Sequence, residues 1–248
     1  MPPRAPVILI PARLGSTRLP RKALADIGGR PMIELVWSRA RVAGLGPVTV
    51  VTDSVEIADV IRAAGGAALL QQGEFHSGSD RIAAALARID SEGRHDAVVN
   101  LQGDNPFLPD DALAAALALL DEPTVDIGTL AAPAAAEEAD DSNAVKLVGT
   151  EIAPRRLRAL YFTRARAPWG EGPLLKHVGV YAFRRSRLER FAALPPSPLE
   201  RRENLEQLRA LEAGMRIDAA VLDKASPSVD TGRDLAALRA AASRQDMQ

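Results

Sequence analysis

Cysteine is absent from this 248-residue chain. That excludes disulfides, thiolate metal sites and a cysteine nucleophile, and it fits a reducing compartment. Excess charge is absent too: 31 Lys and Arg stand against 32 Asp and Glu, giving a formal net charge of -1 and a pI near 6.3. Such a balance builds no basic field, so no nucleic-acid partner is expected. No apolar run approaches the ~20 residues of a spanning helix, so no membrane partner is expected either. The opening MPPRAPVILIPAR has too short an apolar core for a signal peptide and is ended by Pro11. Together these absences predict a cytoplasmic protein. Also missing are an internal repeat, a linker long enough to separate independent domains, a GxxxxGK[ST] P-loop and a GxGxxG dinucleotide turn.

What remains is an ordinary globular composition, 47% hydrophobic and 25% charged, in a chain long enough for a large α/β domain carrying an inserted subdomain. Short β-rich runs alternate with helical spacing. VILI from Val7 predicts a strand buried on both faces, and Met32 to Val42 a helix with Pro31 in its first turn. VTVVT is the next strand, followed by a helix capped by Ser54 and stopped at Gly65-Gly66. AALL, the helix SGSDRIAAALARI, the strand in DAVVNLQGDNP and the helix PDDALAAALALL continue the alternation. This β-α-β-α order implies an α/β fold with a mostly parallel sheet and helices on both faces, whose ligands bind beyond the carboxyl ends of the strands.

The middle of the chain reads differently. Residues Pro133 to Asn143, rich in Ala, Glu and Asp, read as a surface excursion. NAVKLVG, RALYFTR and HVGVYAF are strand-like and too close together for intervening helices, which suggests antiparallel additions. SPLERRENLEQLRALEAG reads as one helix, RIDAAVLD as a strand and TGRDLAALRAAA as a closing helix. We therefore expect one domain over 1–248, with an inserted region at about 131–213.

Several constellations carry chemistry. In PARLGSTRLPRK, Gly15 and Ser16 permit close backbone approach while Arg13, Arg18 and Lys22 can neutralise a polyphosphate. The plainer reading is a solvated basic loop. In LQGD, Asp104 follows a buried strand, with Gln102 two residues earlier on the same side of the pleat; Asp104 is either a magnesium ligand or a turn acid. Asp230 in SVDTGRD is either a functional acid or a helix N-cap. His177 shares a strand face with Tyr181, and Glu203, Glu206 and Gln207 share a helix face; both sets are open to structural readings.

Seven motifs in register alter those weights: IPAR-x-x-STRLP-x-K-x-L-x-DI-x-G-x-PMI, HSGSDR, NLQGDNP, LYFTRARAPW, HVGVYAF, SPLERRENLEQLR and VDT. From about Val7 to the final helix the chain resembles the 3-deoxy-manno-octulosonate cytidylyltransferase (CMP-Kdo synthetase) family. The resemblance implies a Rossmann-like nucleotide-binding sheet and a homodimer built through the inserted region. It implies transfer of CMP from CTP to 3-deoxy-D-manno-octulosonate (Kdo) with Mg²⁺, on the route to lipopolysaccharide. By matching motifs, Arg13, Ser16, Arg18 and Lys22 hold CTP phosphates, and Ser77, Gly78 and Arg81 lie near the nucleotide. Asp104 and Asp230 are implied as metal ligands. Gln102, Arg164, His177, Tyr181, Glu206 and Gln207 are implied to line the sugar-acid pocket, and Arg13, Lys22, Asp104 and Asp230 to carry the catalysis.

The chain also departs from the family pattern. Arg21 stands where these loops have Gly, Ala23 where Pro is usual, and Asn105 where Glu follows QGD. Gln71-Gln72 replaces Thr-Arg, TGRD replaces TPED, and GEGPLLK after Trp169 is short. Two alternatives stay open: a cytidylyltransferase for another acidic sugar, such as 8-amino-Kdo or a sialic acid, and a catalytically silent nucleotide-binding relative.

Overall fold

The computed structural model of the protein describes residues 3, 5–15, 19–224, 227, 229 and 231–245, the last five in backbone only. The first half alternates as expected. β1 (Pro6–Ala12) leads through a two-strand hairpin, β2 (Asp26–Ile27) and β3 (Arg30–Pro31), into α1 (Met32–Val42). Then come β4 (Val48–Thr52), α2 (Val55–Ala63), β5 (Ala67–Leu70), α3 (Gly78–Ile89), β6 (Ala97–Leu101) and α4 (Ala112–Ala118). Ser54 and Ser77 cap α2 and α3 through their side chains, as the sequence signals require.

The second half holds β7 (Ile127–Pro133), β8 (Lys146–Ala153), β9 (Arg156–Thr163) and β10 (Leu175–Arg184). These are followed by α5 (Arg185–Ala193), α6 (Pro198–Glu203), α7 (Gln207–Glu212), β11 (Ile217–Val221) and α8 (Gly232–Gln245). One nine-stranded mixed sheet runs β5-β4-β1-β6-β10-β7-β11-β9-β8. β5, β4, β1 and β6 are mutually parallel, β10 enters antiparallel between β6 and β7, and β7 and β11 are again parallel. β8 also touches β10, at Lys146 opposite Lys176, so the pairing β10-β7-β11-β9-β8 closes on itself.

The core lies on both faces of the sheet. Ile8 and Ile10 pack toward α1, α2 and α4, whereas Val7 and Leu9 pack toward α3, α5 and α7. The unbroken apolar run of β1 therefore reflects burial on both sides.

Two elements differ from the sequence expectation. β7 carries a weak strand signal because small residues interrupt Ile127 and Leu130: a Cβ at Gly128 would lie 2.3 Å from the Ala116 carbonyl oxygen of α4. Close helix-sheet packing selected residues that β propensity disfavours. The segment from Ser197 to Gly214 is two helices, not one, because Asn204 adopts the left-handed conformation (φ 54°) and stops α6. Glu203 consequently leaves the face shared by Glu206 and Gln207, and its carboxylate accepts from the Thr163 hydroxyl (2.8 Å) and the Arg164 amide (2.9 Å).

Candidate active site

A cleft of about 710 Å³ opens where β1 and β6 end. Arg13 enters it from the exit of β1, Ser77 and Gly78 from the start of α3, and Gln102 and Asp104 from the loop after β6. Its far side is formed by Arg164, by His177 and Tyr181 of β10, and by Glu206 and Gln207 at the α6–α7 break. Residues distant in sequence thus converge at the carboxyl edge of the parallel strands. Ser16, Arg18 and Asp230 lie outside the described residues.

Lys22 sits in a single 3-10 turn (Lys22–Leu24) entered through Arg21, which has φ 56° and ψ 29°. Left-handed backbone is glycine's territory, which accounts for a Gly in this loop of related proteins. The Arg21 guanidinium turns away to pair with Glu56 of α2, both side chains being half-exposed. An exposed pair of this kind offsets little of the backbone cost. Arg21→Gly is therefore expected to stabilise the fold by roughly 0.5–1 kcal/mol, the left-handed strain relieved less the added unfolded-state entropy. A urea midpoint unchanged or lowered by the substitution would refute that.

The Lys22 ammonium lies 2.9 Å from Asp104 Oδ2, and the Asn105 amide donates to Asp104 Oδ1 at 3.1 Å. The Val229 amide donates to the Asp104 carbonyl at 3.1 Å, so the residue preceding Asp230 in sequence is seated on the Asp104 loop. The capping role available to Asp230 is filled by Thr231, whose hydroxyl accepts from the Asp234 amide while the Asp234 carboxylate accepts from the Thr231 amide. β6 ends at Leu101, so Gln102 and Asp104 leave the pleat and diverge. Asp104 meets Lys22, while the Gln102 amide reaches Glu206 at 3.4 Å. A Cβ on Gly78 would come within 3.1 Å of the Gln102 amide nitrogen, and one on Gly179 within 3.3 Å of its Cγ. Two glycines thus grip this side chain.

The far half of the cleft combines neutral and carboxyl groups with the cations of Arg164 and Lys176. The Ser79 amide donates to Glu206 at 3.1 Å, yet burial raises the Glu206 carboxyl above its usual range. Burial also holds the Tyr181 phenol well above its usual value, so it stays protonated and donates to Gln207 Oε1 at 3.0 Å. Gln207 is 2% exposed, and its Nε2 has no hydrogen-bond partner among the described residues. Such an unpaired donor beside a polar cleft suits a polar ligand. His177 is pushed down to about 3 by burial and is therefore neutral at physiological pH. The Thr129 hydroxyl donates its single proton to the Val180 carbonyl (2.7 Å), so His177 Nε2–H donates to Thr129 Oγ1 (2.9 Å) and Nδ1 is left as an acceptor.

Arg164 uses its guanidinium to tie elements together, donating to the carbonyls of Glu203 (2.7 Å), Ser142 (2.8 Å) and Asn204 (3.3 Å). Arg81 is placed outside the cleft lining. It is 7% exposed and bonds Asp53 and the Gln71 carbonyl, each at 3.0 Å, which fixes the loops after β4 and β5.

The sequence reading missed the segment after β7. Instead of a detached excursion, residues Glu138, Asp141 and Asn143 form a wall of the cleft, with Lys176 pairing to Glu138. Its composition resembles an exposed loop, which hides this role in the sequence. Among the described residues no helix is long and apolar enough to cross a membrane.

Residues 7–217 match a family model described as cytidylyltransferase. A 3-deoxy-manno-octulosonate cytidylyltransferase of Methylobacterium radiotolerans is 59% identical over 236 residues, covering 95% of this chain and 96% of the relative. One from Rhodopseudomonas palustris is 55% identical over 234 residues, covering 94% and 96%. Among solved structures, a CMP:2-keto-3-deoxy-manno-octonic acid synthetase complexed with CTP is 37% identical with a TM-score of 0.87, covering 98% of this chain and 100% of that one. A UDP-glucose pyrophosphorylase complexed with UDP-glucose shares the fold at a TM-score of 0.69 and 14% identity, covering 98% and 100%.

Proposed function

The chain belongs to the cytidylyltransferase family, and we propose that it transfers CMP from CTP to Kdo, releasing pyrophosphate and giving CMP-Kdo for lipopolysaccharide synthesis. The observation that carries this reading is the meeting of the cationic loop with an acid at the cleft mouth, Lys22 on Asp104 at 2.9 Å. It lies at the polar cleft of about 710 Å³ that also holds Gln102, His177, Tyr181, Glu206 and Gln207.

The proposed reaction joins the anomeric oxygen of Kdo to the α-phosphorus and breaks the α–β anhydride, with pyrophosphate leaving in line. Positioning and charge stabilisation dominate such transfers. Lys22 and Arg13 would place positive charge along the β- and γ-phosphates, where charge builds as pyrophosphate departs, a role the family resemblance also gives Arg18. Asp104 is suited to a divalent cation. Its carboxylate already holds a cation, the Lys22 ammonium, and the Val229 contact ties the Asp230 segment to it. Asp104 and Asp230 would hold Mg²⁺, which would supply Lewis-acid polarisation of the phosphate oxygens and of the attacking hydroxyl.

On the acceptor side, Gln102, Glu206 and His177 Nδ1 offer acceptors to sugar hydroxyls, and Gln207 Nε2 and Arg164 offer donors. Gly78→Ala would crowd the Gln102 amide by a few tenths of an ångström. It is expected to raise the KM for the sugar acid by about 3–10-fold, the scale of one misaligned hydrogen bond. An unchanged sugar-acid KM would remove Gln102 from the pocket. We treat 131–213 as an inserted acceptor-binding and dimerisation region. Trp169 (95% exposed), Leu160 and Ile152 are exposed apolar side chains within it, and the homodimer rests on the family resemblance.

Pyrophosphate release measured with CTP, Mg²⁺ and a panel of 2-keto sugar acids tests the substrate assignment. Kdo is expected to give the highest kcat/KM. A higher value for 8-amino-Kdo or a sialic acid would overturn it.

A further inference from the structure

The cleft wall made by residues 134–145 has little apolar material of its own. Ala139 and Ala144 are its buried hydrophobic residues, each 7% exposed. Its fold depends on Lys146, the first residue of β8, which is 0% exposed. The ammonium donates to the carbonyls of Ala144 (2.6 Å), Asp141 (2.7 Å) and, at greater length, Glu138 (3.4 Å). Three N–H groups thus meet three backbone oxygens, the kind of donor set by which proteins hold a monovalent cation. Desolvation lowers the Lys146 pKa while Asp141, Asp140 and Glu138 oppose it. The ammonium does not line the cleft, but all three residues whose carbonyls it gathers do. The Ala144 bond is fully buried, so without the ammonium that carbonyl would lose its donor, whereas the Asp141 and Glu138 bonds are part-buried.

The cage is also joined to the acceptor half of the site. Lys146 sits opposite Lys176 where β8 closes on β10, and Lys176 pairs with Glu138. The His177 amide donates to the Val145 carbonyl at 2.8 Å, and Arg164 Nη1 donates to the Ser142 carbonyl at 2.8 Å. By contrast, Lys22 and Asp104 are bonded to each other and to the loops after β1 and β6.

We propose that Lys146 is a positioning residue for the sugar-acid half of the site: its ammonium, caged by the carbonyls of Glu138, Asp141 and Ala144, fixes the wall on which Arg164, Lys176 and His177 are seated. It thereby sets affinity for the acceptor and leaves affinity for the nucleotide alone. The kinetic part of this proposal rests on the reading that the far half of the cleft takes the sugar acid; the cage itself does not.

Lys146→Met keeps the length of the side chain and removes the ammonium. Amides of residues 138–145 are expected to exchange with deuterium about 10-fold or more faster, and KM for Kdo to rise about 10-fold or more, with KM for CTP changed by less than about two-fold. Lys146→Ala in propylammonium should recover KM for Kdo, because the added amine restores the donors. Unchanged exchange and unchanged KM for Kdo would overturn the proposal. So would equal losses for CTP and Kdo with a lowered melting temperature, which is what a merely structural lysine gives. If Lys146→Met does not fold, Lys146→Ala decides, and no recovery with the amine counts against the cage. Should the wild-type protein fail to use Kdo, the exchange measurement still decides the cage, and only the substrate assignment falls.

Discussion

Lys22→Ala is expected to lower kcat/KM for CTP-dependent transfer by about 10²-fold or more, the scale of losing one preorganised donor to developing charge. The ammonium is the best-placed cation of the opening loop. It projects from a 3-10 turn directly onto the Asp104 carboxylate, with its side chain only 15% exposed. In the free protein it pairs with Asp104; in the proposed reaction its place is on the phosphates. The loss should fall mainly on kcat and persist at saturating CTP and Mg²⁺, because the interaction strengthens as pyrophosphate departs. A raised KM with unchanged kcat would mean that Lys22 only helps to bind the nucleotide. Near wild-type turnover would remove it from the mechanism.

Asp104→Asn should have the larger effect, a loss of about 10³-fold or more, since metal polarisation of a phosphoryl group is worth several kcal/mol. The substitution is isosteric, and the side chain is 30% exposed, so the fold should survive and the melting curve should be close to wild type. Mn²⁺ titration followed by electron paramagnetic resonance provides a readout separate from turnover. Wild-type protein is expected to bind Mn²⁺ in the presence of CTP, and the variant to bind it at least about 10-fold more weakly. Full activity of the variant at low Mg²⁺ would contradict the assignment of Asp104 as a metal ligand.

Much of the parallel half of the sheet is legible in the sequence because each of its elements obeys a local rule. β1 is an unbroken apolar run, α2 and α3 open on serine caps, and α2 stops at paired glycines. The elements that escape are those where tertiary demands override local preference. In β7 (IGTLAAP) α4 presses on Gly128, and the Gly and Ala residues set among Ile127, Thr129 and Leu130 leave little periodic signal. The α6–α7 break depends on one left-handed Asn204 in an otherwise helical pattern, and that break aims Glu206 and Gln207 into the cleft.

The candidate site follows the same division. Its side chains are carried by short motifs that survive in the sequence, which is why Arg13, Gln102, Asp104, His177 and Tyr181 can be picked out before any coordinates. Their supports are not legible. Nothing in NAVKLVG tells that Lys146 is fully buried among carbonyls, and nothing in PRKAL tells that Arg21 takes a glycine's conformation and turns toward Glu56. Both depend on backbone geometry set by distant strands.

The most direct test of the central claim is to follow the phosphorus atoms themselves. Protein supplied with Kdo, Mg²⁺ and CTP labelled in either the α- or the γ-phosphate should move the α label into a sugar nucleotide. The γ label should appear in pyrophosphate, one released per CMP-Kdo formed, with both products lost on adding a chelator. A γ label in the sugar product, or pyrophosphate formed at the same rate with and without Kdo, would contradict the account.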